Sequence, residues 1–532
     1  MHTSETFSGK HFYSDVCYNR KCFLQPITKT NVHSLKKIII IGSGFSGLSA
    51  ACYLAKEGYD ITIYEKNESI GGRAQQLNYN GFTFDIGPTF YWTLDVFERF
   101  FADFGTSTKE FYELIRLDPG YEVYFDKGKS IRLSANFEQI THTFEQHETG
   151  SSRVLKRFMK NAEINYRVAM DKVIYKPGKS SFKLIMPATI MRVSQFFSSL
   201  SHTVRKDIKN PMLRQILEFP VLFLGARPCD LPSFYRFMNY TDMILGTWHI
   251  QGGIFQQVKA MHTIATQLGV TVHTNASVEK IHVKNGKVTG IQVNGKHEKA
   301  DVVVSSADYH HTESLLEWKY RNYSNYYWKS RVMAPSALLF YIGFDRELEN
   351  VSHHTLFFDT DFDEHANKIY LRPGWPEKPL FYASFPTKTD KSIAPEGKDT
   401  AIILIPIAPG LDDTPEIRKQ YFNQIIERME KLTGQSLRKD ILFYKTSAVN
   451  DFVKDYHAYK GNAYGLSNTL LQTTFLKPKI QNKKVRNLFY AGQLTVPKPG
   501  VPTTIISGKI AAGLAAAYII GINSRVESKQ QK

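Results

Sequence analysis

The chain has 532 residues, 42% of them hydrophobic, which is enough to bury a large core spread over two or three domains. Its formal net charge is +17, yet only 22% of residues are charged, which excludes a disordered polyelectrolyte. A basic balance suits anionic surfaces; with no helix-turn-helix, zinc-finger or RNP-type pattern, nucleic acid is set aside, leaving membrane headgroups or a plain solvated surface.

Residues 1–35 show no periodicity and no apolar signal core, and read as a mobile extension. The chain organises itself over the next stretch, residues 36–73. A short apolar run, residues 38–41, reads as a buried parallel strand. Gly42, Gly44 and Gly47 then form G-x-G-x-x-G, with Ser43 and Ser46 between them. Apolar residues at helical spacing follow, Phe45, Leu48, Ala51, Cys52 and Ala55, as far as Gly58. A second strand, residues 61–64, ends on Glu65.

Each part has a physical task. Gly42 turns the chain out of the strand, Gly44 leaves room for a pyrophosphate, and Gly47 lets helix and strand approach. The helix start offers unpaired N–H groups to phosphates, and Glu65 can accept both ribose hydroxyls while repelling a 2′-phosphate. These residues point to a dinucleotide. Just beyond lie Gly71-Gly72-Arg73 and Phe84-Asp85-Ile86-Gly87-Pro88-Thr89. Together they resemble the flavoproteins with two dinucleotide-binding motifs. That resemblance implies FAD, with Gly72, Arg73, Pro88 and Thr89 continuing its site.

Farther along, Phe90-Tyr91-Trp92 precedes the helical pattern VFERFFADF and reads either as the lining of a substrate pocket or as core. Alternating residues between 114 and 133 read as strands of a second domain. Residues 150–240 look helical. Within them, residues 182–204 hold large apolar side chains, with Ile190, Met191, Phe197 and Leu200 on one face and basic residues around it. This fits an amphipathic segment in a membrane interface, or a core helix.

Gly252-Gly253-Ile254 opens another helix, followed by alternating strands with an Asn285-Gly286 turn. The flavoprotein resemblance places the strand of Val278 beside the adenine. Residues 337–342 and 400–405 read as strands, and residues 414–432 as a helix capped by Thr414-Pro415. The pairs His310-His311 and His353-His354 lack metal-ligand spacing, as do Cys17, Cys22, Cys52 and Cys229, and no metal is expected. So few thiols suit a reduced, cytoplasmic setting. A last strand runs into Gly492-Gln493, then a Pro-Gly turn with Gly500 and Val501 leads into a small-residue helix whose N-terminus can face a flavin carbonyl. Its apolar stretch, residues 510–522, is too short to span a membrane and reads as buried.

These motifs, together with Leu213-Arg214-Gln215, Ser384-Phe385-Pro386-Thr387-Lys388-Thr389-Asp390, Ala394-Pro395-Glu396-Gly397 and Lys460-Gly461-Asn462-Ala463-Tyr464-Gly465-Leu466, resemble the bacterial phytoene desaturase family over residues 36–521. The chain departs from that pattern at Trp248-His249-Ile250-Gln251 and at Gln493.

The resemblance implies an α/β fold: a Rossmann-like FAD-binding domain with an inserted α+β substrate domain and a helical region that can contact a membrane. Residues 36–113, 241–325 and 481–525 would form the FAD-binding domain, and 114–240 with 326–480 the substrate and membrane-contacting part. It also implies dehydrogenation of a phytoene-like hydrocarbon, peripheral attachment to the inner face of the membrane, and reoxidation by oxygen or a quinone. No residue stands out as a general base. The alternatives are another carotenoid flavoprotein (ketolase, isomerase or diapocarotenoid desaturase), an amine oxidase, or a non-redox lipid-group chaperone of the same fold, which would bind no FAD.

Overall fold

The structure, a computed structural model, describes residues 36–176, 194–469, 472, 476–497 and 500–530. The expected N-terminal extension and residues 182–193 of the amphipathic segment lie outside the described residues.

The first strand, Lys37–Ile41, is a run of isoleucines without alternation, as befits a strand covered on both faces. It lies at the centre of a five-stranded, wholly parallel sheet. The order is Leu488–Tyr490, Val302–Ser305, Lys37–Ile41, Asp60–Tyr64, Thr271–His273. One layer is therefore assembled from the beginning, middle and end of the chain. Ile38 and Ile40 pack with the helix Phe45–Lys56 on one face, whereas Ile39 and Ile41 join Val278, Ile281 and Tyr490 on the other.

The C-terminal helix, Val501–Gln530, packs against the helix Phe45–Lys56 and reaches the strands Val302–Ser305 and Leu488–Tyr490. Gly508 makes the crossing close, since a Cβ there would lie 2.3 Å from the Ser46 carbonyl oxygen. Ser49 Oγ donates to the Ile505 carbonyl at 2.7 Å. The structure corrects the expected length: Val501–Gly521 is long and apolar enough to cross a membrane, judged by length and composition alone. Lys509, within this helix, bonds to the Asp103 carboxylate at 2.5 Å. Half of its most apolar window is buried in the protein, while Ile520 is 61% exposed.

A second, seven-stranded sheet runs in the order Ile441–Ser447, Ser336–Phe344, Asp399–Ile407, Phe381–Ser384, His354–Phe358, Tyr121–Phe125, Ser130–Leu133. Neighbours are antiparallel except His354–Phe358 beside Tyr121–Phe125. The helix Pro415–Thr433 covers part of one face with Phe422, Ile425, Ile426 and Met429. Thr414 caps it, its Oγ1 accepting from the Ile417 N–H at 3.4 Å. Helices between residues 137 and 243 pack on the strands around Tyr121 to close the other side.

One amphipathic expectation is corrected. Phe197 is 83% exposed but Leu200 is fully buried, so the two do not share a face. The continuous helix needed for that face breaks at Ser198–Ser199, where Ser199 bridges to Pro232 and caps a new helix, Leu200–Asp207.

Candidate active site

The turn after the first strand is built around its glycines. Gly42 has φ +91°, a conformation that L side chains rarely adopt. A Cβ on Gly47 would sit 2.1 Å from the Gly42 carbonyl oxygen, so only glycine lets the helix approach the strand end. At Gly44 a Cβ would meet nothing within 4 Å and would project into open space above the helix N-terminus.

Glu65, 6% exposed, is held from both sides. Its Oε2 accepts from the Ser43 N–H at 2.9 Å and the Ser43 hydroxyl at 2.8 Å, and its Oε1 from the Asn67 N–H at 2.9 Å. Three of its four lone-pair sites are thus taken, and the one left on Oε1 can accept a ribose hydroxyl.

Twelve of the expected residues line one cleft: Gly42, Gly44, Ser46, Glu65, Gly72, Arg73, Pro88, Val278, Gly492, Gln493, Gly500 and Val501. Ser43 and Gly47 lie beneath it, shaping the turn and orienting Glu65. Thr89 faces a neighbouring cavity instead.

Arg73 donates from Nη2 to the Asn462 carbonyl at 3.2 Å, while its buried Nε has no partner. Burial pulls this guanidinium below its usual range, opposed by the charge of Asp308, whose own carboxyl burial pushes up. In the orientation that satisfies both ends of its amide, Gln493 accepts from Arg73 Nη2 and donates to the Ala463 carbonyl, each at 3.2 Å. The open space at Gly44, the donors around Glu65 and the unpaired Arg73 Nε fit a dinucleotide diphosphate with its ribose.

Sequence reasoning missed Asp308, His311, Tyr456 and His457, all on the cleft wall. His311 and His457 stack at 3.9 Å between ring centroids. Burial and mutual repulsion hold His311 at about 3, so both rings are neutral near pH 7. Asp308 follows the strand Val302–Ser305 and was legible as the end of a parallel strand. Tyr456 and His457 carry no motif, because they arrive from a distant helix.

The neighbouring cavity encloses about 1770 Å³ of empty space, its open mouth included, with an overwhelmingly apolar wall. Phe90, Tyr91 and Trp92 line it while also packing in the core. Thr93 beside them has φ +60°, an uncommon conformation for a β-branched residue. Gly87, Pro88, Leu404, Tyr464, Gly500 and Val501 belong to both cavity and cleft, so the two share a wall.

Polar groups near that wall are few and mostly paired. Thr89 Oγ1 and the Tyr382 hydroxyl are 2.8 Å apart, and Tyr382 reaches His354 Nδ1 at 2.6 Å. Behind them, His353 Nδ1 meets Thr389 Oγ1 at 2.9 Å, and His249 Nε2 meets Asp390 at 3.2 Å. Burial drives His353 and His354 well below the usual imidazole range.

The family model for flavin-containing amine oxidoreductases matches residues 45–516. A carotenoid 3,4-desaturase of Haloarcula japonica is 38% identical, covering 89% of this chain and 96% of its own. A zeta-carotene-forming phytoene desaturase of Myxococcus xanthus is 30% identical, over 89% and 93%. A 4,4'-diapophytoene desaturase of Staphylococcus aureus is 31% identical, over 89% and 97%. Among solved structures, a Methanosarcina mazei oxidoreductase aligns with a TM-score of 0.57 at 17% identity, covering 89% of this chain and 99% of the other. Cyclohexylamine oxidase of Brevibacterium oxydans does so at 0.57 and 16%, covering 91% and 99%, which establishes the shared fold. With this dinucleotide cradle and these relatives, the chain belongs to the flavin-containing amine oxidoreductase family, among the carotenoid desaturases, and its cofactor is FAD.

Proposed function

We propose that the protein is an FAD-dependent desaturase that removes hydrogen from phytoene or a related carotenoid and so extends its conjugated double bonds. The observation that carries this reading is the wall shared by the dinucleotide cleft and a large apolar cavity. A polyene offers no polar handle along its reacting carbons, so shape and dispersion must orient it, and the phenylalanines, leucines and tryptophan of the cavity supply both. The same walls keep water from the reacting carbons. Bound FAD supplies the hydride acceptor. Glu65 holds the ribose, the turn at Gly42, Gly44 and Ser46 receives the diphosphate, and Arg73 lends charge beside it. Gly492, Gln493, Gly500 and Val501 bring the C-terminal helix to the end of the cleft nearest the cavity.

In this reading residues 36–113, 241–325 and 481–525 bind FAD, while 114–240 and 326–480 hold the substrate. The enzyme sits peripherally on the inner face of a membrane, where a hydrocarbon substrate dissolves, and oxygen or a quinone takes the electrons. Its basic balance of +17 supports attachment to anionic headgroups.

Expression in cells that accumulate phytoene tests the activity. Coloured, more conjugated products are expected; unchanged phytoene alongside oxygenated downstream carotenoids would assign a ketolase instead. Flotation with anionic vesicles tests attachment, and stopped-flow reoxidation with oxygen against a quinone distinguishes the acceptors.

A further inference from the structure

Desaturation takes hydrogen from two neighbouring carbons. One hydrogen leaves with its electron pair to bound FAD, and the other leaves as a proton, which an apolar cavity cannot solvate. A polar path must therefore open in the cavity wall close to the reacting carbons. Thr89 stands at such a place. It follows Pro88, which belongs to the wall shared with the dinucleotide cleft, and it is the one described residue that lines both the cavity and a small pocket behind it. That pocket has room for about one water, and Asp85, His249, His353 and Ser384 bring polar side chains to it.

His249 has the arrangement of a base. Its Nε2 lies 3.2 Å from Asp390 Oδ2, and a carboxylate can only accept, so Nε2 carries the hydrogen and Nδ1 keeps a lone pair. Asp390 is itself fixed by the Gly252 N–H at 2.6 Å and by the Ser392 N–H and hydroxyl at 3.0 and 2.6 Å. Burial pushes its carboxyl up, but the bonds from His249, Ser392 and Gly252 outweigh that and hold it well below the usual carboxylate range. A lasting anion beside the ring compensates a transient buried imidazolium. His354 has no such anion: it is fully buried, its Nε2 is unpartnered, and its Nδ1 meets the Tyr382 hydroxyl. With His354 donating to Tyr382 and Tyr382 to Thr89, the Thr89 hydroxyl is left to donate into the small pocket.

We propose that His249, paired with Asp390, accepts the proton lost by the substrate, and that Thr89 and one water in the small pocket carry it there. The C–H bond breaks and its electron pair enters the new double bond. Thr89 Oγ1 takes the proton as its own passes to the water, and the water gives one to His249 Nδ1. The imidazolium returns it to solvent before the next turnover. His249 lies in Trp248-His249-Ile250-Gln251, where the chain departs from the phytoene desaturase pattern. The proposal rests on the desaturation reading and names its proton acceptor.

The test mixes FAD-loaded enzyme, without oxygen, with a series of carotenoid hydrocarbons from phytoene upward in lipid vesicles. It follows the loss of flavin absorbance in a single turnover. His249→Gln keeps a donor for Asp390 but cannot take a proton, and should slow that step by about 100-fold. Thr89→Val keeps the volume without the hydroxyl and should slow it by about 10- to 100-fold. Thr89→Ser, which keeps the hydroxyl, should remain close to native. FAD affinity, the oxidised flavin spectrum and the half-saturating substrate concentration should be unchanged in all three. The native rate should rise with pH as one group gives up its proton, and His249→Gln should abolish that rise. Asp85, His353 and His354 also face His249; burial keeps the two histidines neutral, and Asp85→Asn should leave the rise in place.

A native rate in His249→Gln or Thr89→Val would overturn the proposal. So would a loss in Thr89→Ser equal to that in Thr89→Val, a comparison that stands even if His249→Gln fails to fold. A pH rise that survives without His249, or weakened FAD binding in that variant, would overturn it too. Failure of the native enzyme to lose its flavin absorbance with any of the carotenoids would overturn the desaturation reading itself, a result separable from those of the variants.

Discussion

Gly44 and Gly47 occupy the same motif but meet different surroundings, and that difference is testable. Gly47→Ala drives a methyl into the Gly42 carbonyl, at 2.1 Å from the oxygen, so the turn itself must move. The expected result is a loss of roughly 1–3 kcal/mol in denaturant unfolding of the FAD-free protein. Gly44→Ala meets no protein atom within 4 Å and should leave that stability intact, yet it occupies space needed by the diphosphate and should weaken FAD binding in fluorescence titration.

Asp85 gives a pH prediction. It accepts from the Ile254 N–H at 2.7 Å, and burial raises its carboxyl to about 6. A carboxyl with a raised folded pKa binds its proton more tightly when folded, so its contribution is full below about pH 4 and is lost as pH rises through 6. Relative to Asp85→Asn, the native protein should therefore lose about 2 kcal/mol of unfolding free energy between pH 4 and 7. A flat difference across that window would refute the assignment. At this scale the tight turn at Gly42, the close approach at Gly47 and the placing of Glu65 beside that turn agree with the sequence expectation, because all three are local. It could not read Asp85 as a cap on a helix start 169 residues away.

Among the elements, the contact between the helices Phe45–Lys56 and Val501–Gln530 bears most directly on the site. Gly508 lies against Ser46, Ser49 and Ala50, so one helix braces the turn formed by the other. Gly508→Val would wedge them apart, and the expected outcome is overpacking that costs about 1–3 kcal/mol in unfolding, accompanied by a lower FAD content on purification. Loss of stability with full FAD occupancy would show that the turn does not depend on this brace. The small residues of the second helix already pointed to close packing. The expectation counted only the apolar run 510–522, whereas the fold places Lys509 inside the longer helix, against the Asp103 carboxylate.

For the whole molecule, the decisive feature is that a polar cleft and an apolar cavity meet along a common wall. Ala366 lies on the cavity wall and does not line the cleft. Ala366→Trp should therefore obstruct the polyene without disturbing FAD: the flavin spectrum should match the native protein while desaturation in phytoene-accumulating cells falls at least about tenfold. Unaltered pigment formation would mean that substrate takes another path. The seven-stranded sheet supplies much of this cavity wall, through Leu356 and Phe358 from one strand, Tyr382 from its neighbour and Leu404 from the strand beyond.

The sequence alone determined the dinucleotide cradle, since strand, glycine turn, helix and acid are contiguous and their geometry follows from short-range sterics. It also determined that the last strand and helix return to that cradle, through an apolar run ending on glycine and a Pro-Gly turn. Only the tertiary structure decided the remainder. His457 and Tyr456 reach the cleft because segments far apart in the chain pack together there. Such encounters are set by the folding of whole layers, and no local pattern of residues encodes them.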